Sequence, residues 1–160
     1  MLFRSTKKKG IIVTVSGGFD PLHVGHIRYF EVAKKLGSTL VVILNNDNWL
    51  MKKKGYVFMP ERERKEIIEA LRVVDRVVLT SHRKNDSDVS VCKELRRIKP
   101  DIFANGGDRK PDGNPVPEVG VCKELGIKMV YNIGKGGKIQ SSSWLSESVA
   151  KRVGKKSIKK

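Results

Sequence analysis

Five short apolar runs alternate with segments of helical periodicity along this chain of 160 residues. The runs begin near positions 11, 39, 73, 102 and 127, and several of them are rich in β-branched residues. Short, nearly continuous apolar strands separated by helices are typical of a parallel sheet whose two faces are both covered, because each crossover helix packs on a face. The sequence therefore predicts an α/β domain with a doubly wound parallel sheet.

The boundaries of the predicted elements follow from the apolar spacing and from capping residues. We expect strands at 11–15, 39–44, 73–79, 102–104 and 127–133. We expect helices at 22–36 and 60–71 and a third helix from 86 or 87 to just before 100. A short fourth helix ends at Gly126, and a last helix follows 141–143. Between the second strand and the second helix we expect a lysine-rich loop at 45–59. A doubly wound sheet binds ligands beyond the carboxyl ends of its strands, so motifs that directly follow strands are the candidates for function.

The net charge of +16 is concentrated at the two ends of the chain. Residues 1–9 contain four basic residues, residues 151–160 contain six, and neither segment contains an acid. We therefore predict a domain at residues 10–150 with basic tails at 1–9 and 151–160. The domain without its tails keeps a net positive charge that is smaller than that of the whole chain. A positive domain suits an enzyme whose substrates are polyphosphates.

Composition also argues against several classes of protein. No apolar run approaches the length of about 20 residues that a membrane-spanning helix needs, and the N-terminus does not resemble a signal peptide, so we expect a cytoplasmic location without a membrane partner. The two cysteines form neither a disulfide framework nor a zinc-binding spacing. Aromatic residues make up only 6% of the chain, which argues against a nucleic-acid partner.

The first strand leads directly into the segment Ser-Gly-Gly-Phe-Asp-Pro-Leu-His-Val-Gly-His, residues 16–26. Gly17 and Gly18 let the backbone approach a phosphate or adopt a positive φ, and a helix N-terminus, which is a natural anion site, follows. His23 and His26 share one face of the first helical turn, with Gly25 between them. Two imidazoles here can donate hydrogen bonds to phosphate oxygens that gain charge in a transition state.

Other interpretations of this segment fit less well. Its spacing matches neither the dinucleotide-binding Gly-x-Gly-x-x-Gly pattern nor a P-loop. A zinc site would need a third ligand, and the sequence offers no obvious one, so we predict no metal ligands among the side chains.

The segment resembles the signature of the HxGH nucleotidylyltransferase superfamily, the cytidylyltransferase-like group. It is most similar to heptose-phosphate adenylyltransferases, glycerol-3-phosphate cytidylyltransferases and archaeal FAD synthetases, and the resemblance extends from about Ile11 to Leu145. It implies a Rossmann-like fold with strand order 3-2-1-4-5, Mg²⁺ as cofactor and a homodimer. It also implies catalysis by His23 and His26 and a nucleotide site that includes Gly17, Gly18, Phe19 and Gly25.

The resemblance continues after the second strand, where Asn45 and Asp47 match a corner of the family's acceptor pocket. Asp47 equally suits a capping role. Lys54 matches a mobile basic residue that contacts the phosphates of the nucleotide, although a lysine triplet such as 52–54 is also usual in a solvated loop. Arg64 matches an arginine of the next helix and would contact the acceptor, or would form a surface ion pair with Glu61 or Glu63.

Two later segments complete the resemblance. The turn after the fourth strand resembles a Gly-Gly-Asp-Tyr-Lys-Pro segment beside the base and ribose, with an arginine where relatives often have an aromatic residue. The segment before the last helix resembles an Ile-Ser-Thr-Thr motif that holds the distal phosphates. The nucleotide-binding residues implied by these two segments are Gly107, Asp108, Arg109, Lys138, Ser141, Ser142 and Ser143.

The resemblance implies an enzyme that transfers a nucleotide monophosphate from an NTP to a phosphorylated small molecule and releases pyrophosphate. We expect AMP transfer from ATP to a sugar phosphate. The alternatives are CTP-dependent transfer to glycerol-3-phosphate or a similar polyol phosphate, and adenylylation of FMN, and phosphopantetheine stays open as an acceptor. Outside the enzymes, the alternatives are a basic nucleic-acid-binding module and a nucleotide-sensing module.

Overall fold

The computed structural model describes residues 10–106, 116–134 and 141–157. Strands and helices alternate along most of the chain. The elements are β1 (Ile12–Gly17), α1 (Val24–Lys34), β2 (Thr39–Leu44), α2 (Asp47–Lys54), α3 (Glu61–Glu69), β3 (Arg76–Leu79), α4 (Cys92–Ile98), β4 (Ile102–Gly106), α5 (Glu118–Leu125), β5 (Lys128–Ile133) and α6 (Ser142–Ser157).

The five strands form one parallel sheet in the order β3-β2-β1-β4-β5, which confirms the predicted topology. The chain adds strands on one side of β1 up to β3 and then returns to the other side with β4. The strand order therefore reverses between β1 and β4. A crevice opens at such a switch point beyond the carboxyl ends of the two strands.

Alternating side chains of the strands supply two separate cores, one on each face of the sheet. On one face, Val13 and Val15 of β1 pack with Phe30 of α1 and Ile68 of α3. On the other face, the buried Phe103 of β4 packs among apolar residues of α4 and α5. Helices on both faces explain why the strands are almost continuously apolar.

Several element boundaries differ from the sequence-based predictions, three of them by at least one turn of helix. The predicted loop at 45–59 contains α2, which the side chain of Asn46 caps by accepting from the N–H of Trp49. Helix α4 begins at Cys92 rather than at 86 or 87, because the Asp88 carboxylate accepts from both the N–H and the hydroxyl of Ser90 and stabilises a turn there. Helix α6 continues through residues 151–157, which were assigned to a tail.

Within the ranges that the structure describes, every helix is too short or too polar to cross a lipid bilayer.

Candidate active site

The glycine-rich loop after β1 is closely packed against its neighbours. A Cβ on Gly17 would come within 2.9 Å of the Phe19 ring, and a Cβ on Gly18 would come equally close to Leu50. Neither glycine has a positive φ; the left-handed residue of the loop is Phe19, with a φ of 49°. Glycine is therefore needed at both positions because a side chain would not fit between the loop and its neighbours. The positive φ that we expected at a glycine is adopted by Phe19 instead.

His23 and His26 form a capping box at the N-terminus of α1. Nδ1 of His23 accepts the N–H of Gly25 at 3.1 Å, and Nδ1 of His26 accepts the N–H of His23 at 3.3 Å. The two rings stack with centroids 3.7 Å apart and planes inclined by 25°. Because each Nδ1 is an acceptor, a neutral ring carries its proton on Nε2 and is a donor at that atom.

His26 is held in its neutral form. Burial, with smaller contributions from the nearby His23 and Lys54, lowers its pKa from 6.5 to about 3. Phe19 adds an edge-on ring contact to His26, with centroids 5.0 Å apart. A neutral imidazole whose Nδ1 is occupied can donate from Nε2 without first losing or gaining a proton.

Asp20, which the sequence analysis did not single out, fixes the segment after α2 beside the histidines. Its buried carboxylate accepts the N–H groups of Phe58 and Met59, both at 2.7 Å. Its carbonyl oxygen accepts from Nζ of Lys54 at 3.0 Å. The signal available in the sequence was an aspartate between a glycine-rich turn and a helix start, and its burial in the structure explains why it has these partners.

Lys54 is the lysine of the triplet that reaches this loop. Nζ of Lys52 instead donates to the carbonyl of Asp86, and Nζ of Lys53 lies 6.0 Å from the ring centroid of Trp49. Lys54 is partly buried, whereas the other two lysines are exposed. The structure thus separates one lysine at the site from two at the surface.

Arg64 is fully buried and joins three segments of the site. Its Nη1 donates to the carbonyls of Gly18 and Asn45 at 2.6 and 2.8 Å, and Nε donates to the carbonyl of Met59 at 2.8 Å. Its Nη2 donates to the carboxylate of Asp47 at 2.6 Å. The surface ion pair with Glu61 or Glu63 is therefore not formed, and Arg64 holds the segment from Asn45 to Asp47 against the glycine-rich loop.

Asn45 presents a buried acceptor at the end of β2. The residue is 4% exposed, and its Oδ1 has no hydrogen-bond partner among the residues that the structure describes. Its backbone N–H donates to the carbonyl of Gly17, so the side chain starts beside the glycine-rich loop. A buried oxygen without a partner is costly, and a donor on a bound molecule would relieve that cost.

The N-terminus of α6 packs on the same loop. The Ser142 hydroxyl donates to the carbonyl of Pro21 at 2.9 Å, across 121 residues of sequence. Ser141 and Ser142 are buried, and Ser143 is exposed. A second helix N-terminus thereby lies close to the one that carries the histidines, and both are suited to bind anions.

The structure brings most of the predicted site residues together around residues 17–21. The remaining predicted residues, Gly107, Asp108, Arg109 and Lys138, lie outside the described residues. The first three directly follow Gly106 in the sequence, and Gly106 ends β4, the strand beside β1 at the switch point. That position is consistent with a ligand that spans the two strand ends.

Neither cysteine offers a thiolate for covalent catalysis. Burial raises the pKa of Cys122 to about 11 and raises the pKa of Cys92 as well. His82, the third histidine, is buried, and its ring nitrogens contact the Thr80 hydroxyl and the carbonyl of Ser90, both at 2.9 Å. The surroundings of these three side chains indicate structural roles, and we do not include them in the site.

Comparisons with known proteins identify the family of this chain. A family model described as cytidylyltransferase-like matches residues 14–125. The FAD synthase of Pyrococcus abyssi is 36% identical over 120 residues, which are 74% of this chain and 76% of that protein. The FAD synthase of Thermococcus sibiricus is 40% identical over 126 residues, 78% and 82% of the two chains.

Two further similarities come from proteins with other names. The bifunctional protein HldE of Desulfatibacillum aliphaticivorans is 38% identical over 121 residues, which are 23% of that protein. The crystal structure of the lipopolysaccharide core biosynthesis protein from Thermoplasma volcanium superposes with a TM-score of 0.62 at 30% identity, covering 80% of this chain and all of the other.

Proposed function

Because this chain belongs to the cytidylyltransferase-like family and is a nucleotidyltransferase, we propose that it transfers AMP from ATP to the phosphate of FMN. The products are FAD and pyrophosphate. The observation that carries the proposal is the stacked pair of His23 and His26 at a helix N-terminus, with Lys54 and the start of α6 beside it. Together these groups bring a lysine and several N–H donors to one location, where a polyphosphate can bind.

FMN takes precedence here over the sugar phosphate that the sequence alone favoured. The relatives named FAD synthase match this chain over most of both lengths, whereas HldE matches it over a small part of its own length. A sugar phosphate is the second candidate acceptor, supported by the match to HldE and by the structure from Thermoplasma volcanium.

The reaction is an in-line displacement at the α-phosphorus of ATP. An oxygen of the FMN phosphate forms the new bond to phosphorus, the bond from the α-phosphorus to the bridging oxygen breaks, and pyrophosphate departs. Phosphoryl-type transfers of this kind depend mainly on positioning and on stabilisation of charge. No covalent enzyme intermediate is required.

Each group of the site has a part in this step. The Nε2 atoms of His23 and His26 donate to phosphate oxygens as negative charge develops, because donors already in place stabilise that charge without reorganisation. Lys54 offsets the charge of the phosphates, and the N–H groups at the start of α6 hold the distal phosphates. The unpartnered Oδ1 of Asn45 accepts from a hydroxyl of the acceptor or nucleotide.

Mg²⁺ fits this site as part of the nucleotide substrate. Within the described ranges, no three histidine, cysteine, aspartate or glutamate side chains converge to hold a metal ion. Both carboxylate oxygens of Asp20 already accept backbone N–H groups. Mg²⁺ commonly keeps water and substrate phosphates as ligands, so the ion would enter bound to ATP and offset the charge on its phosphates.

The test measures pyrophosphate release by the full chain with MgATP or MgCTP, each combined with FMN, heptose-1-phosphate or glycerol-3-phosphate. We expect release with ATP and FMN, and formation of FAD identified by chromatography. A variant with His23→Ala and His26→Ala is the control for contaminating activity. Pyrophosphate release with a sugar phosphate and not with FMN would show that the acceptor is the sugar phosphate. Binding of ATP without release of pyrophosphate in any combination would favour a sensing role.

A further inference from the structure

An open apolar cavity lies between the segment after α2 and one face of α6. Its volume is about 700 Å³, within the range of roughly 300–1,000 Å³ that is usual for small-molecule sites. Its lining includes the aromatic residues Tyr56 and Phe58 and the aliphatic residues Ala150 and Val153. Lys54, two serines and Glu147 border the cavity as well.

We propose that this cavity binds the isoalloxazine ring of FMN, an inference that rests on the proposed function and assigns a subsite to its acceptor. Phe58 is 52% exposed and Val153 is 60% exposed, and both border the cavity. Exposed large apolar side chains that surround one cavity mark a binding surface for an apolar group. A flat aromatic ring system can stack on Tyr56 and Phe58 and cover the aliphatic face of α6.

The cavity adjoins the place where the phosphate of the acceptor must react. Lys54 borders the cavity and also donates to the carbonyl of Asp20 in the loop before the histidines. Ser143 borders it as well, next to Ser142, whose hydroxyl donates to the carbonyl of Pro21. A molecule with its ring in the cavity therefore extends its phosphate towards Lys54 and the histidine pair.

The charges around the cavity fix the orientation of the acceptor. Lys54 attracts a phosphate, whereas Glu147, the acidic residue among the cavity-lining residues, repels one. A phosphate beside Lys54 and an uncharged ring against the apolar walls satisfy both conditions.

The same walls select against a sugar phosphate. A heptose or glycerol phosphate presents hydroxyl groups in every direction, and apolar walls would remove their hydration without supplying hydrogen bonds. The isoalloxazine ring buries apolar area on both of its faces, while the carbonyl and N–H groups on its edge can stay towards the open side of the cavity. The cavity thus discriminates through its mainly apolar surface, where the few polar groups at the border would satisfy only some of the hydroxyls of a sugar.

The experiment compares variants of the full chain in which the cavity is narrowed or made polar. Ala150→Trp narrows the cavity, and Phe58→Ser removes an aromatic wall. Ile67→Ser is the matched control, because Ile67 is a similarly exposed apolar residue on α3 that does not line the cavity. Each protein is measured for the Kd of FMN and of riboflavin by flavin fluorescence, for the KM of FMN, for the Kd of ATP and for oligomeric state.

We expect both cavity variants to raise the Kd of FMN and of riboflavin, and the KM of FMN, by about tenfold or more, with the Kd of ATP unchanged. The riboflavin measurement isolates the ring, because riboflavin has no phosphate to interact with Lys54. The Ile67→Ser control should match the wild type in all of these values.

The outcomes separate this inference from the proposed function. Turnover of FMN with unchanged flavin affinity in both cavity variants overturns the subsite and leaves the proposed function standing. Flavin binding that the cavity variants weaken, without release of pyrophosphate, supports the subsite and overturns the reaction. No flavin binding by the wild type overturns both, and a change of oligomeric state without a change in flavin affinity assigns the cavity to a second copy of the chain.

Discussion

The ring of His26 lies against the ring of His23 at a centroid distance of 3.7 Å, and the backbone of His23 occupies Nδ1 of His26. Each imidazole thereby uses Nδ1 for capping α1, which places the proton of a neutral ring on Nε2. The same backbone bonds that start the helix thus set the tautomer of the two side chains. One helical turn thus both caps α1 and orients the two imidazole rings.

Separate substitutions of His23 and His26 by alanine should each lower kcat by about 10²–10³-fold, the usual effect of removing one donor to a developing oxyanion. The Kd of ATP should change much less, because the transition state gains more charge at these oxygens than the bound substrate has. Single-turnover formation of FAD and isothermal titration with ATP measure the two quantities. Equal losses in ATP affinity and in rate would instead assign the pair to ground-state binding.

His26 should remain uncharged in the free enzyme throughout the range from pH 5 to pH 8. Its pKa of about 3 in the folded chain lies far below 6.5, because burial disfavours the charged imidazolium. The ring resonances of His26 in an NMR titration should therefore keep neutral-form chemical shifts over this range. A midpoint near pH 6.5 for His26 would contradict the buried environment.

Acid should destabilise the fold through the same residue. As the pH falls from about 6.5 towards 3, the unfolded chain binds a proton at His26 while the folded chain does not, so stability decreases with decreasing pH. The contribution of this one group approaches a slope of about 1.4 kcal/mol per pH unit. The variant His26→Gln has a side chain that can still accept the His23 N–H. Its free energy of unfolding, measured with urea, should fall less steeply than that of the wild type as the pH is lowered from 6.5 to 4.

Replacement of Arg64 by methionine should lower the free energy of unfolding by roughly 3–5 kcal/mol, the usual cost of removing one member of a buried ion pair. The substitution leaves the Asp47 carboxylate and three backbone carbonyls without their donor. Arg62→Met is the matched control, because Arg62 is exposed on the same helix, and its effect should stay within about 0.5 kcal/mol. Urea unfolding measures both variants, and equal effects would exclude the structural role of Arg64.

The sequence was sufficient to predict the sheet and the position of the histidine pair. Alternating apolar runs and helical segments specify covered parallel strands, and the resemblance supplied the strand order that the structure confirms. The histidine spacing of three residues placed His23 and His26 on one face of a helical turn, as observed. The strand positions and the histidine pair depend on local periodicity, which a sequence displays directly, whereas the strand order depends on the resemblance.

Tertiary partners explain what the sequence left open. Helix α2 was missed because its three lysines and low apolar content resemble a loop, and the Asn46 cap that starts it becomes evident only in the structure. Arg64 gives no sign of burial in the sequence, since arginine is mostly exposed in proteins. Its burial depends on carbonyls contributed by distant segments, including Gly18, 46 residues away.

Lys54 should matter for turnover while its two neighbours do not, although the three lysines are adjacent in the sequence. Lys54 is partly buried beside Asp20 and contributes to the lowered pKa of His26, so its charge acts at the site. We expect Lys54→Met to lower kcat/KM for FMN by about 10²-fold, in line with loss of one fixed group at a developing charge. Steady-state kinetics with pyrophosphate detection measures this change.

Lys52→Met and Lys53→Met are the matched controls, because both side chains are exposed and contact other parts of the chain. Each should keep kcat/KM within about twofold of the wild type, since solvent and salt screen a surface charge. A repeat at higher ionic strength should reduce any small effect of the two controls and leave the Lys54→Met defect in place. Equal defects in all three variants would show that only the net charge of the segment matters, and would remove Lys54 from the reaction.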